Sequence, residues 1–432
     1  MSVGLKPRRA ALNILRHVRG GQPFEAALSD GVSRLPEPDR RLAHELAAGV
    51  LRQRTTLDRQ LASLVPRGWE AVGADLQDIL RLGAYQLTEL ERVPAHAAVN
   101  TSVALAKHTA GSRAAGFVNA VLRKLTRSAP IVDIESAVAP GALADKYSHP
   151  MWLVSRWVEI FGVEQTEALL RWNNTRPRLV AQAAREDLQE LEVRWRSAGI
   201  TVTPAPFGAG LVLDGVRPSE LPGYQEGHFI IQDPAQALLV QFIDPPRQAI
   251  LYDACAAPGG KTIALGRRVA RTVAGEVQRA RGRRLAENLT RAGSGREHAV
   301  IADARKPPVR VLDIVLLDAP CMGTGTFARH PDARWRVSMD ALTRIQRLQG
   351  DLLESTAQVV APNGLLVYST CSVEPEENQM QVDAFLRRHP EFERDSAGHI
   401  DPALLSPRGD LTILPQRHGM DGAYAARLRR IG

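Results

Sequence analysis

AILYDACAAPGGKT, residues 249–262, is the stretch whose reading decides the fold. An apolar run ends on an acid, and two glycines, Gly259 and Gly260, then let the backbone turn tightly. The helix expected next offers free N–H groups and a dipole that suit a carboxylate or a phosphate. The spacing is neither that of a Walker A loop nor G-x-G-x-x-G. Four further apolar segments follow between helical stretches: TVAGEV (272–277), HAVIADA (298–304), DIVLLDAP (313–320) and GLLVYSTC (364–371). Such near-continuous apolar strands predict a mainly parallel sheet covered on both faces, in an α/β domain over residues 231–432. Ligands of such sheets bind outside the carboxyl ends of the strands.

Upstream the pattern changes twice. In LAHELAAGVLRQRTTLDRQLASLV, Leu42, Leu46, Val50, Leu57, Leu61 and Leu64 recur at helical spacing, and DILRLGAYQLTEL repeats it with Ile79, Leu82, Leu87 and Leu90. Pro94 opens another amphipathic run that Gly111 closes, and GFVNAVLRKLTRS gives a last helix. Residues 1–140 therefore read as an all-α domain. Lys6, Arg8, Arg9, Arg16, Arg123, Lys124 and Arg127 are either a basic face or a solvated helix surface. A Pro- and Gly-punctuated joint, IVDIESAVAPGALADKYSHP, puts the boundary near residue 140. Residues 146–230 read as a small α+β domain: helical runs at Trp152 to Phe161 and Gln165 to Trp172, a helical DLQELEVRWRSAG, and short strands in ITVTPAP and GLVLDG.

Composition bounds the setting. The 432 residues carry a net charge of +8 and three cysteines, with a pI near 9.7. Three cysteines make no disulfide framework, and none has metal-ligand spacing, so a reducing interior without a metal is expected. The basic N-terminus lacks a signal-peptide core and no stretch has the length of a membrane span, which predicts a cytoplasmic chain free of the membrane. The arginine-rich charge suits phosphate binding, although codon bias alone can produce it.

All three cysteines lie beside strand ends: Cys255 in the first turn, Cys321 in LLDAPCMGTGT (316–326) and Cys371 in VYSTCSVEPEEN (367–378). Glu276 ends the second strand, about twenty residues after the glycine turn, where an acid binds a ribose hydroxyl pair. Asp303, after the third strand, suits an adenine amino group or an arginine partner. A ligand with a carboxylate, a ribose and an adenine but no phosphate is S-adenosylmethionine.

DACAAPGGKT, LLDAPCMGTGT and VYSTCSVEPEEN resemble, in order, the cofactor loop, the Asp-Ala-Pro-Cys loop and the Thr-Cys nucleophile loop of the RNA cytosine-C5 methyltransferases. The likeness extends to RHPDARW (329–335), FIIQDPAQAL (229–238) and DGAYAARL (421–428), while PRRAALNIL, LRLGAYQLTEL and GFVNAVLRK resemble the antitermination factor NusB. Together they look like the bacterial small-subunit ribosomal RNA methyltransferases that join both parts. Met322, Arg334 and Ala423 stand where that pattern usually has a serine, a lysine and an aromatic.

The resemblance implies a Rossmann-like, S-adenosylmethionine-dependent methyltransferase domain behind a NusB-like domain. Cys371 would add to carbon 6 of cytosine, because carbon 5 is too weak a nucleophile unaided. Cys321 would assist release, and Asp318, protonated or sharing a proton, would meet the charge spreading to the N3 side. The cofactor would be held by Cys255, Ala256, Ala257, Pro258, Gly259, Gly260, Lys261, Glu276, Asp303 and Asp318. Cys255 reads as a structural member of the turn, Asp253 as a turn cap, and Lys261 equally as a solvated helix residue. The EPEEN acids read as helix-start signals, and a Pro375-led helix is expected to offer amides to Cys371. The partner implied is small-subunit ribosomal RNA, bound by a monomer. Transfer RNA as substrate and a non-catalytic, NusB-like antitermination factor are the alternatives, the latter disfavoured by intact Asp318, Cys321 and Cys371.

Overall fold

The computed structural model describes residues 4–127 and 139–431; residues 131–138 of the joint lie outside these. The chain divides into two compact units, Met1–Thr175 with Phe327–Arg336, and Arg176–Thr326 with Val337–Gly432. Among the described residues no helix is long and apolar enough to cross a membrane.

The first unit is helical: α1 (Leu5–Arg19), α2 (Phe24–Val32), α3 (Glu37–Arg52), α4 (Arg54–Ala62), α5 (Ala74–Glu89), α6 (Ala95–Leu125), α7 (Pro140–Tyr147), α8 (Met151–Phe161) and α9 (Val163–Asn173). The leucines at helical spacing face inward, and Leu46, Val50, Leu57, Leu61, Ile79, Leu82 and Leu122 share one core. Burying each such side chain stabilises the fold by roughly 1.5–3 kcal/mol. Gly111, at φ 84°, breaks the helical path of α6. Helices α7 to α9 group with this unit, and the Thr55 amide donates to Ser148 Oγ at 2.8 Å. The inserted segment is built into the same unit: Arg334 is fully buried, donating to Asn174 Oδ1 and to the Asn173 carbonyl at 2.7 Å each. Trp335 Nε1 donates to the Leu51 carbonyl at 2.8 Å.

The second unit opens with β1 (Leu179–Ala183), α10 (Leu188–Ser197), β2 (Val202–Pro204), β3 (Leu211–Leu213) and β4 (Phe229–Ile231). These strands form an antiparallel sheet ordered β2-β3-β1-β4, packed on Leu191 and Trp195 of α10. Then come α11 (Pro234–Ile243), β5 (Ile250–Asp253), α12 (Gly260–Gly266), β6 (Arg271–Glu276), α13 (Arg279–Ala292), β7 (Glu297–Ile301) and β8 (Leu312–Asp318). The chain ends with α14 (Met339–Ala357), β9 (Val360–Thr370), α15 (Gln379–Arg388), β10 (Phe392–Arg394), β11 (Leu411–Ile413), α16 (Pro415–His418) and β12 (Ala423–Arg430). Their sheet runs β10-β12-β9-β8-β5-β6-β7, with β11 on β12. Strands β5 to β9 pair in parallel, whereas β12 lies antiparallel to β9.

From β5 the chain steps outward to β6 and β7, then returns to β8 on the other side of β5. That reversal opens a crevice at the carboxyl ends of β5 and β8, where such sheets bind ligands. Asp253, Glu276 and Asp318 each end a strand there, and Cys371 follows the last residue of β9.

Candidate active site

The cofactor turn is shaped by its glycines. Gly259 sits at φ 107° in the left-handed region, and a Cβ on Gly260 would lie 2.5 Å from Gln232 Nε2, so a side chain is strained at the first position and crowded at the second. Asp253 is buried beneath it and accepts from Thr262 Oγ1 at 2.6 Å. Its other oxygen, Oδ1, is buried with no hydrogen-bond partner. Burial pushes this carboxyl up to about 7, against the pull of Thr262. Glu276 is 3 % exposed and accepts from the Gln278 amide at 2.8 Å. A buried acceptor, a glycine turn at the start of α12 and an acid at the next strand end fit a ligand bearing an amino group and a ribose. Asp303 pairs with Arg305, whose Nη2 lies 2.6 Å away. Burial, reinforced by Asp253, Asp318 and Glu276, pushes the Cys255 thiol up to about 12, which suits an inert structural residue in the turn.

Lys261 is not a solvated residue. Its Nζ lies 2.6 Å from Asp318 Oδ2, and Ser369 Oγ donates to Asp318 Oδ1 at 2.9 Å. Burial opposes the lysine charge, but the Asp318 carboxylate outweighs it and holds the ammonium above its ordinary value. Asp318 is thus held between Lys261 and Ser369.

Cys321 and Cys371 meet with their sulfurs 3.2 Å apart. The Cys371 side chain, followed by burial, pushes the Cys321 thiol well up. The two loops touch through backbone as well. The Gly325 amide donates to the Cys371 carbonyl at 3.1 Å, and the Gly422 amide to the Gly325 carbonyl at 2.8 Å.

Two expectations fail here. Residues 375–378 form a turn, and α15 begins only at Gln379, so no Pro375-led helix aims amides at Cys371. Glu377 is no helix-start signal either. It is fully buried, accepting from the Met322 amide at 2.9 Å, from Gln349 Nε2 at 3.0 Å and from Ser372 Oγ. The proximity of PEEN to Cys371 was the only available signal, and acids after a proline are usually first-turn residues. His330, Arg334 and Trp335 belong to the helical unit, with Arg334 fully buried.

Residues 5–127 match the NusB family, residues 149–219 the RsmF/B-like ferredoxin-like domain, and residues 240–429 the family described as 16S rRNA methyltransferase RsmB/F. The probable ribosomal RNA small subunit methyltransferase B of Synechocystis sp. is 33% identical, over 99% of this chain and 100% of that protein. The ribosomal RNA small subunit methyltransferase B of Vibrio cholerae is 33% identical, over 98% of this chain and 97% of that one. The crystal structure of PH0851 is similar with a TM-score of 0.82 at 25% identity, covering 100% of both chains. A Rossmann-like crevice built for an adenosyl amino acid, two facing cysteines and relatives matching end to end lead to one conclusion: the chain belongs to the ribosomal RNA small subunit methyltransferase B family.

Proposed function

We propose that this chain methylates carbon 5 of a cytosine in small-subunit ribosomal RNA through a covalent Cys371 adduct. The observation that carries the reading is the 3.2 Å approach of the Cys321 and Cys371 sulfurs, beside the Lys261–Asp318 pair. S-adenosylmethionine, when bound, supplies a sulfonium methyl group as the electrophile. The turn Cys255, Ala256, Ala257, Pro258, Gly259 and Gly260 would hold it, with Glu276 towards the ribose and Asp253 towards an amino group. Asp303 would serve the adenine only after giving up Arg305.

The thiolate of Cys371 adds to carbon 6, and the ring electrons move towards N3 and carbon 5. Asp318 relays the Lys261 proton to N3 as negative charge spreads there, and carbon 5 takes the methyl group. Once Cys371 is a thioether, it no longer raises the neighbouring thiol. Cys321 then ionises more readily and assists loss of the carbon-5 proton, after which Cys371 leaves and the aromatic ring is restored. The NusB-like domain over residues 1–140 and the α+β domain over 146–230 hold the RNA, and the protein works as a cytoplasmic monomer.

Separate substitution of the two cysteines tests this. Cys371→Ala should abolish transfer with no covalent species. Cys321→Ala should methylate and then stall, giving a slow protein–RNA band on denaturing gels that the double substitution removes. A band from Cys371→Ala and none from Cys321→Ala would make Cys321 the nucleophile.

A further inference from the structure

We propose that Glu377 is a positioning residue that sets the distance between the two cysteine sulfurs by tying their loops to a single buried carboxylate. This rests on the reading that Cys371 and Cys321 work as a pair. Two of the three donors to the Glu377 carboxylate come from residues that directly follow the cysteines: the Met322 amide at 2.9 Å and the Ser372 hydroxyl. The third, Gln349 Nε2 at 3.0 Å, also donates to the carbonyl of Pro320, the residue before Cys321, at 3.0 Å. Tyr368 Oη donates to the Glu377 backbone carbonyl at 2.6 Å and so ties the Glu377 main chain to β9.

A carboxylate without a cationic hydrogen-bond partner is expensive to bury. Here burial, aggravated by Glu374, pushes Glu377 up to about 7. An apolar side chain would fill the space at lower cost, but it would leave the Met322 amide and the Ser372 hydroxyl without their shared acceptor. Hydrogen bonds to a charged acceptor are the stronger kind, and a displacement of about 1 Å at reacting atoms can cost about 100-fold in rate. The clamp therefore acts on the geometry of Cys321 and Cys371 without touching the substrate.

The test uses the full chain with Glu377→Ala, Glu377→Gln and Gln349→Ala. In Glu377→Ala, kcat should fall about 100-fold, while KM for ribosomal RNA and the affinity for S-adenosylmethionine stay at parental values. Glu377→Gln should recover most of that loss, because its amide oxygen still accepts from Met322 and its NH2 can donate to Ser372 Oγ. Thiol spacing is read independently with diamide, which takes two electrons and two protons from the pair and leaves an Sγ–Sγ bond. That bond should form at least about 10-fold more slowly in Glu377→Ala, and more slowly also in Gln349→Ala. If Glu377→Ala does not fold, Gln349→Ala tests the clamp by the same two readouts. Unchanged kcat and unchanged disulfide rate would overturn the clamp. Slowed disulfide formation combined with methyl transfer that survives Cys371→Ala would leave the clamp standing and remove the nucleophile assignment instead.

Discussion

Asp253 makes fold stability depend on pH, and we propose that the same carboxyl binds the ligand. The folded chain holds its proton up to about pH 7, whereas an unfolded aspartate releases it near about 3.9. Between those values the folded state binds more protons, so stability is greatest below the unfolded value and falls as pH rises, by at most about 1.4 kcal/mol per pH unit. Asp253→Asn should flatten part of that slope and raise the melting temperature of the ligand-free protein at pH 8, while weakening S-adenosylmethionine. Glu377, raised to about 7 by burial, contributes a slope of the same sign in the same window. Calorimetry at pH 5 and pH 8 reads both effects, and parallel pH curves for parent and variant would rule the coupling out. The acid ending β5 was visible in the sequence as a turn cap. Its orphaned oxygen was not, because burial depends on what α12 lays over it.

The loops after β8 and β9 depend on glycine for a different reason. A Cβ on Gly325 would lie 2.7 Å from Gly422 Cα and 2.8 Å from the Cys371 carbonyl oxygen, and backbone on both sides cannot yield as a side chain can. Gly325→Ala should therefore cost about 1–3 kcal/mol and reduce methyl transfer by separating the loops that carry Cys321 and Cys371. A thermal melt together with an rRNA methylation assay checks this, and full activity at a parental melting temperature would sink it. The strands and the glycine turn were legible because apolar runs and turn residues act over a few neighbours. The meeting of Gly325 with Gly422 was not, since β12 reaches that edge only after an antiparallel return beside β9.

The segment Phe327–Arg336 illustrates how the two compact units divide a sequence that reads as continuous. Burial pulls the Arg334 guanidinium down to about 9, aided by the charge of Arg52, and its partners come from residues 52, 148, 173 and 174. Arg334→Ala should cost at least about 2 kcal/mol by stranding these acceptors, with a loss of melting temperature as the readout. Deleting residues 1–140 should also strip Trp335 of the Leu51 carbonyl and Asp332 of the Phe24 amide, which donates to it at 3.1 Å. Proteolysis within 327–336 would report that loss, whereas a truncated chain protected there would contradict it. Sequence by itself determined the helical, α+β and α/β composition and the cofactor turn, because each rests on local periodicity or a contiguous motif. Only the tertiary structure decided that Lys261 serves Asp318, that Glu377 binds both cysteine loops, and that Arg334 is core in the helical unit. Apart from the Ser372 hydroxyl, five residues before Glu377, those roles arise from contacts between residues 28 to 282 positions apart, whose burial and hydrogen-bond partners exist only once the distant segments have packed.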